Sequence, residues 1–97
     1  TFVWASMKIL LTNDDGIEGP GLEALAVAAR SLGGEAVIVA PAEPHSGCGH
    51  RVTTGRPVIV DDVGPGRYRV HGTPADCVRI ALARLAPDVD IVLAGIN

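Results

Sequence analysis

The sequence predicts an α/β fold built on a mainly parallel sheet, and three observations predict it. Lys8 to Thr12 and Ala36 to Ala40 are short, almost continuous apolar runs, the pattern of strands covered on both faces. Between them, Leu22, Leu25, Ala26, Ala29 and Leu32 recur at the spacing of one helix face. A further apolar run, Ile91 to Ala94, follows a second helical segment. Strand, helix and strand in this order make a βαβ unit, with parallel strands and a right-handed crossover.

Each element has its own local warrant. The first helix opens at Pro20, which suits the first helical position, and Gly33-Gly34 suits its end. The second strand closes at Pro41, and "AEPHSGCG" then reads as a polar, glycine-rich loop. Val58 to Val63 and Arg67 to His71 flank Gly64-Pro65-Gly66 and predict a two-stranded hairpin, peripheral to the sheet. Thr73 is an N-cap candidate, with Pro74 at N1 and Asp76 three residues on, close to a capping box. The helix that follows puts Cys77, Ile80, Ala81 and Leu85 on one face and stops at Pro87.

Length and composition bound the rest. Ninety-seven residues allow one domain, and the apolar content is enough for a core. A net charge of −3 gives no electrostatic footprint for a nucleic-acid polymer or an anionic membrane. No apolar run approaches the ~20 residues that span a bilayer. Thr1 to Ser6 precede Met7, lack the marks of a secretory signal, and read as an upstream extension or cloning remnant. Residues 7–97 read as part of a single domain, since a chain of this kind that stops after a core strand is expected to be a fragment. Two cysteines without an export signal fit free thiols in a reducing compartment, so the cytoplasm is the expected location.

In open parallel sheets, ligands bind outside the carboxyl ends of the strands. The first strand delivers Asn13, Asp14 and Asp15 there, the second His45, Ser46 and Cys48, and the last Asn97. Asp88 and Asp90 precede their strand and belong to the opposite edge, while Asp61 and Asp62 read as solvated charges near the hairpin turn. Two readings of the aspartate pair stand level on the pair alone. It is a polar strand-to-helix turn, or it holds a divalent cation, since carboxylate, hydroxyl and amide oxygens are hard ligands suited to Mg²⁺, Mn²⁺ or Ca²⁺.

Rival chemistries meet the letters less well. A haloacid-dehalogenase-type phosphatase needs Asp-x-Asp, and the first position is Asn13. A cysteine phosphatase needs Arg six residues after its Cys, where Cys48 has Thr54 and Cys77 has Ala83. Neither the P-loop nor the dinucleotide fingerprint is present. A receiver domain shares an acidic pair after its first strand, but no phosphoacceptor Asp is placed at a central strand end. A zinc set of His45, Cys48, His50 and Cys77 matches no common spacing. "GTPADC" reads as a capped helix start, with a phosphate-facing N-terminus as the alternative.

"ILLTNDDGIEGPGLEAL", "VIVAPAEPHSGCGHRVT", "VHGTPADCVRIAL" and "PDVDIVLAGIN", in this order, resemble the SurE stationary-phase survival proteins. The resemblance runs over almost all of Met7 to Asn97 and covers only the N-terminal part of the family's length. It implies a Rossmann-like three-layer α/β/α domain with a mainly parallel sheet, truncated here. It also implies a metal-dependent 5'-nucleotidase acting on nucleoside 5'-monophosphates, and on 3'-nucleotides and short polyphosphate. One divalent cation, Mg²⁺ or Mn²⁺, is implied on Asp14, Asp15, Ser46 and Asn97, with Asp14 and Asp15 also catalytic. A later glycine- and asparagine-rich loop, a phosphate-binding segment and the region forming dimers or tetramers have no counterpart in this sequence. The fragment alone is therefore expected to be inactive. The reading from another class is a non-catalytic metal- or nucleotide-binding module.

Overall fold

A strand can lie at the centre of a sheet only if both its faces can be buried. Lys8–Thr12, which forms β1, meets that condition, since Ile9, Leu10 and Leu11 are each 0 % exposed. The computed structural model describes residues 7–44 and 51–95. After β1 come α1 (Pro20–Ser31), β2 (Glu35–Pro41), β3 (Ile59–Gly64), β4 (Arg67–His71), α2 (Pro74–Ile80) and β5 (Ile91–Ala94). The sheet order is β3-β4-β2-β1-β5, and every pair is parallel except β3 with β4.

Alternation along the strands divides the core in two. Ile9, Leu11, Ile38 and Ala40 turn to one face, where Leu22, Ala26 and Ala29 of α1 cover them. Leu10, Val37, Val39 and Val70 turn to the other, where Cys77 and Ala81 cover them. Full burial of a side chain such as Leu22 contributes about 1.5–3 kcal/mol. One helix on each face of a mainly parallel sheet is the three-layer α/β/α arrangement expected from the sequence.

Two features differ from expectation. The hairpin is not peripheral: β4 pairs in parallel with β2, from Ile38↔Arg67 to Pro41↔Val70, and only β3 lies at the edge. Asp61, which lies in β3 as expected, is not simply a solvated charge: its carboxylate accepts hydrogen bonds from Arg69 Nε at 3.1 Å and His71 Nε2 at 2.7 Å. The second helix also changes character in its last turn. Ala81–Leu85 is π-helical, and Ala86 N–H donates to Ala81 O, five residues back, at 2.7 Å. The wider turn ends the helix just before Pro87 and leaves Ala86 buried in the core.

The amino end of β1 is fastened by the acids expected at that edge. Lys8 Nζ meets Asp88 Oδ1 at 2.8 Å, and Asp90 Oδ2 accepts the Lys8 N–H at 2.8 Å. The contact with Asp88 raises the Lys8 ammonium above its usual range, and Lys8 lowers the Asp88 carboxyl in return. These charges lie at the end of the sheet opposite the loop that follows β1.

Candidate functional site

The segment leaving β1 is shaped by its neutral members, which fixes where the charged ones stand. Asn13 is buried and spends its amide on the turn: Nδ2 donates to Gly16 O at 2.9 Å, and Oδ1 accepts Gly16 N–H at 3.2 Å. Gly16 has φ +100°, a conformation that L side chains resist. Ile17 N–H then donates to Pro41 O at 2.8 Å and docks the turn on the end of β2. Asp14 and Asp15 occupy the two positions between these fixed points, Asp14 half-buried and Asp15 exposed.

This turn stands between the other two strand ends selected from topology. β1 lies between β2 and β5, and Thr12 faces Ala94 in register. Gly95 N–H donates to Thr12 O at 3.0 Å, which extends the β1–β5 ladder one step towards the aspartates. Ser46, Asn97, His45, Cys48 and His50 lie outside the described residues. The chain leading to Ser46 departs from Pro41 and passes the turn closely: a Cβ on Gly16 would meet the Glu43 carbonyl carbon at 3.4 Å and Pro44 N at 3.5 Å.

A buried carboxylate, Asp76, was expected from sequence only as a helix cap. The capping box is present, with Asp76 N–H donating to Thr73 Oγ1 at 3.1 Å and Thr73 N–H to Asp76 Oδ2 at 2.9 Å. In addition, Asp76 Oδ1 accepts Thr53 N–H at 2.7 Å, the Thr53 hydroxyl donates to Oδ2, and Thr73 Oγ1 donates to Arg51 O at 2.5 Å. Burial pushes the Asp76 carboxyl up, but the hydrogen bonds from Thr53 and Thr73 outweigh it and bring the group down to about 2. Gly72 is required here, because a Cβ would stand 2.5 Å from Asp76 Oδ2. Arg51 and Thr53 are thus tied to the start of α2. Those same bonds occupy the N–H groups of Thr73 and Asp76, which favours the structural reading of "GTPADC", although the strand before it is not peripheral.

The donor set suits a hard cation. Asp14 and Asp15 carry carboxylate oxygens, the donor type that hard cations take, while among the described residues no group of three or more His, Cys, Asp and Glu side chains is placed to hold a metal ion. Cys77 is buried and free, and burial, reinforced by the Asp76 charge, pushes its thiol up to about 12. Its side chain packs in the core with Leu10 and Val39, and the other members of the zinc set, His45, Cys48 and His50, lie outside the described residues. Among the described residues no helix is long and apolar enough to cross a membrane.

Comparison with known proteins bears on the whole chain. The family model for "Survival protein SurE" matches residues 9–97. A protein of Synechocystis sp. is 55 % identical over 91 residues, 94 % of this chain and 39 % of that protein. "5'-nucleotidase SurE 1" of Burkholderia lata is 49 % identical over 92 residues, 93 % of this chain and 36 % of that protein. The crystal structure of the SurE protein from Aquifex aeolicus superposes with a TM-score of 0.85 at 42 % identity, covering 93 % of this chain and 37 % of that one. This chain therefore spans less than two-fifths of the length of these relatives. On the family match and the shared fold together, the chain belongs to the SurE survival-protein family.

Proposed function

We propose that the protein of which these residues form the site is a divalent-metal-dependent 5'-nucleotidase that hydrolyses nucleoside 5'-monophosphates. The observation that carries this reading is the fixed turn at the carboxyl end of β1, an interior strand of the sheet. Asn13 and Gly16 close it, leaving Asp14 and Asp15 between the ends of β2 and β5. Relatives carrying the 5'-nucleotidase name support the substrate class. Activity on 3'-nucleotides and short polyphosphate, and assembly into dimers or tetramers, belong to the same proposal for the whole protein.

Asp14 and Asp15, with Ser46 and Asn97, are the proposed ligands of one Mg²⁺ or Mn²⁺. When bound, the cation supplies Lewis-acid neutralisation of phosphoryl charge and activation of water. Two adjacent carboxylates repel each other, and holding a cation relieves that repulsion. Ser46 and Asn97 add oxygen donors without charge, so the site stays open to an anionic phosphate. Asp15 is the more exposed member of the pair, and we assign it the proton released as water attacks phosphorus, a proton that then goes to the nucleoside 5'-oxygen as its bond to phosphorus breaks. Asn13 has no part in covalent chemistry, because its amide is engaged in the turn.

The test is turnover of nucleoside 5'-monophosphates by the full-length protein. Chelator is expected to abolish it, added Mg²⁺ or Mn²⁺ to restore it, and Asp14→Asn to lower kcat/KM by at least a hundredfold. Chelator-resistant turnover, or an Asp14→Asn variant as fast as the parent, overturns the metal mechanism. Residues 1–97 alone are expected to be inactive, and robust turnover by them overturns that expectation.

A further inference from the structure

A second polar recess opens beside the aspartate turn, where β2 and β4 part. Their ladder ends at Ala42 N–H, which donates to Val70 O at 2.8 Å. Beyond that bond the chain after β2 enters the Glu43–Pro44 segment, while β4 leads through Gly72 into α2. The cleft between them measures about 270 Å³ and is lined by Ala42, Glu43, Arg56, Val70, His71 and Gly72.

Its lining is mixed in a specific way. Half-buried Ala42 supplies a small apolar wall, and the buried Val70 and bare Gly72 backbone lie beneath it as the floor. Arg56 and Glu43 are both exposed, and among the described residues neither forms an ion pair. One offers a planar set of donors, the other only acceptors. His71 is held in place, since Asp61, whose carboxyl is lowered first by His71 and then by Arg69, accepts its Nε2–H. A cleft for a second phosphate would not place a carboxylate among its walls. A flat heterocycle with donors and acceptors on one edge and an apolar face matches all of these groups at once.

Position agrees with chemistry. Glu43 lines the cleft and also abuts Gly16 of the aspartate turn, so the two places share a wall. β2 is the neighbour of β1, and strands lie about 4.8 Å apart. The cleft is therefore one to two strand spacings from the end of β1, a gap that a ribose can bridge.

We propose that this cleft receives the nucleobase of the substrate, with Arg56 and Glu43 reading its polar edge and the fixed His71 ring bordering its face. The proposal rests on the nucleotidase reading for the identity of its ligand.

The experiment compares the full-length protein with its Arg56→Ala and Glu43→Gln variants on two substrates, the nucleoside 5'-monophosphates and ribose 5-phosphate. Both substitutions fall on exposed side chains, and thermal melting checks that the variants fold. The ratio of kcat/KM for nucleotide over ribose 5-phosphate is expected to fall at least tenfold in Arg56→Ala and to change in base order in Glu43→Gln. In parallel, adenosine, guanosine, cytidine and uridine, which carry no phosphate, are titrated while backbone amide NMR signals are followed. Shifts at residues 42, 43, 56 and 70–72 are expected, and they weaken in Arg56→Ala. A ratio held within twofold in both variants, or shifts that avoid the cleft, overturns the proposal. Equal shifts there with inorganic phosphate also overturn it and make the cleft an anion site. Nucleoside binding at the cleft without phosphatase turnover upholds the cleft and overturns the nucleotidase reading, so the two failures are distinguishable.

Discussion

Asn13 and Gly16 are joined by two hydrogen bonds, Asn13 Nδ2 to Gly16 O at 2.9 Å and Gly16 N to Asn13 Oδ1 at 3.2 Å. The bonds make the amide a brace for the two aspartates it precedes. Replacing Asn13 by Ala leaves the buried Gly16 N–H without a partner, at a cost of about 1–3 kcal/mol, while Gly16 O keeps the hydrogen bond from Gly19 N–H at 3.0 Å. Asn13→Asp keeps an acceptor for Gly16 N–H but faces Gly16 O with a carboxylate and sets a third charge beside Asp14. We expect urea unfolding to rank the parent above both variants, with Asn13→Asp no better than Asn13→Ala. An Asn13→Asp protein as stable as the parent contradicts this role for the amide.

Gly16 tests the same turn from the backbone side. An added Cβ meets Glu43, Pro44 and Pro41 at 3.4–3.6 Å, which is ordinary contact, so crowding contributes little. Conformation decides instead: φ is +100°, and an L residue there is strained by about 1–2 kcal/mol. Gly16→Ala is expected to lower stability by that amount in denaturant titration. A loss near zero would show that the turn relaxes to negative φ and that the aspartates are held less firmly than described.

Asp76 should give the fold an acid-sensitive latch. Its folded value, about 2, lies below the ordinary 3.8, so the stability it provides is fully present above 3.8 and lost as pH falls towards 2. Hydrogen bonds to a charged group are worth about 1.5–3 kcal/mol, and Asp76 accepts several. Asp76→Asn is expected to destabilise the protein at pH 7 and to flatten its stability profile between pH 5 and 2. Retention of the parent's acid dependence in the variant excludes Asp76 as its source.

Local patterns announced most of the elements, because a strand buried on both faces and a helix covering one face each write their period into adjacent letters. β1 and α1 begin and end within a residue or two of the expected places. The insertion of β4 beside β2 was not legible. Arg67, Tyr68 and Arg69 look like an exposed ribbon, and their parallel partners Ile38, Val39 and Ala40 lie far back in the chain. Long-range register of this kind has no local signature. Asp76 shows the same limit: the letters Thr73-Pro74-Ala75-Asp76 announce a cap, while the bond to Thr53 depends on which loop folds over the helix start. For the candidate site, topology alone brought Asp14 and Asp15 to the carboxyl edge between two other strand ends. The cleft at Arg56 and His71 needed the placement of β4 before it could be seen.

Thr12, the last residue of β1, offers a prediction of opposite sign. It is 3 % exposed, and among the described residues its hydroxyl has no hydrogen-bond partner. The Cys77 thiol is the polar neighbour on the α2 side; Thr12 moderates the upward push of burial on that thiol, without the geometry of a full hydrogen bond. A buried hydroxyl left unsatisfied costs about 1–3 kcal/mol, whereas an isosteric methyl in the same place costs nothing in desolvation. Thr12→Val should therefore raise the urea midpoint, with a gain of about 1 kcal/mol and an unchanged m-value. A variant less stable than the parent by a similar amount would mean that the hydroxyl has a partner in solution, such as a buried water bridging Thr12 to Cys77. Thr12→Ser then separates the two accounts: it keeps the hydroxyl but loses the methyl packing, so it should be less stable than Thr12→Val if the hydroxyl is unsatisfied, and more stable if a water holds it.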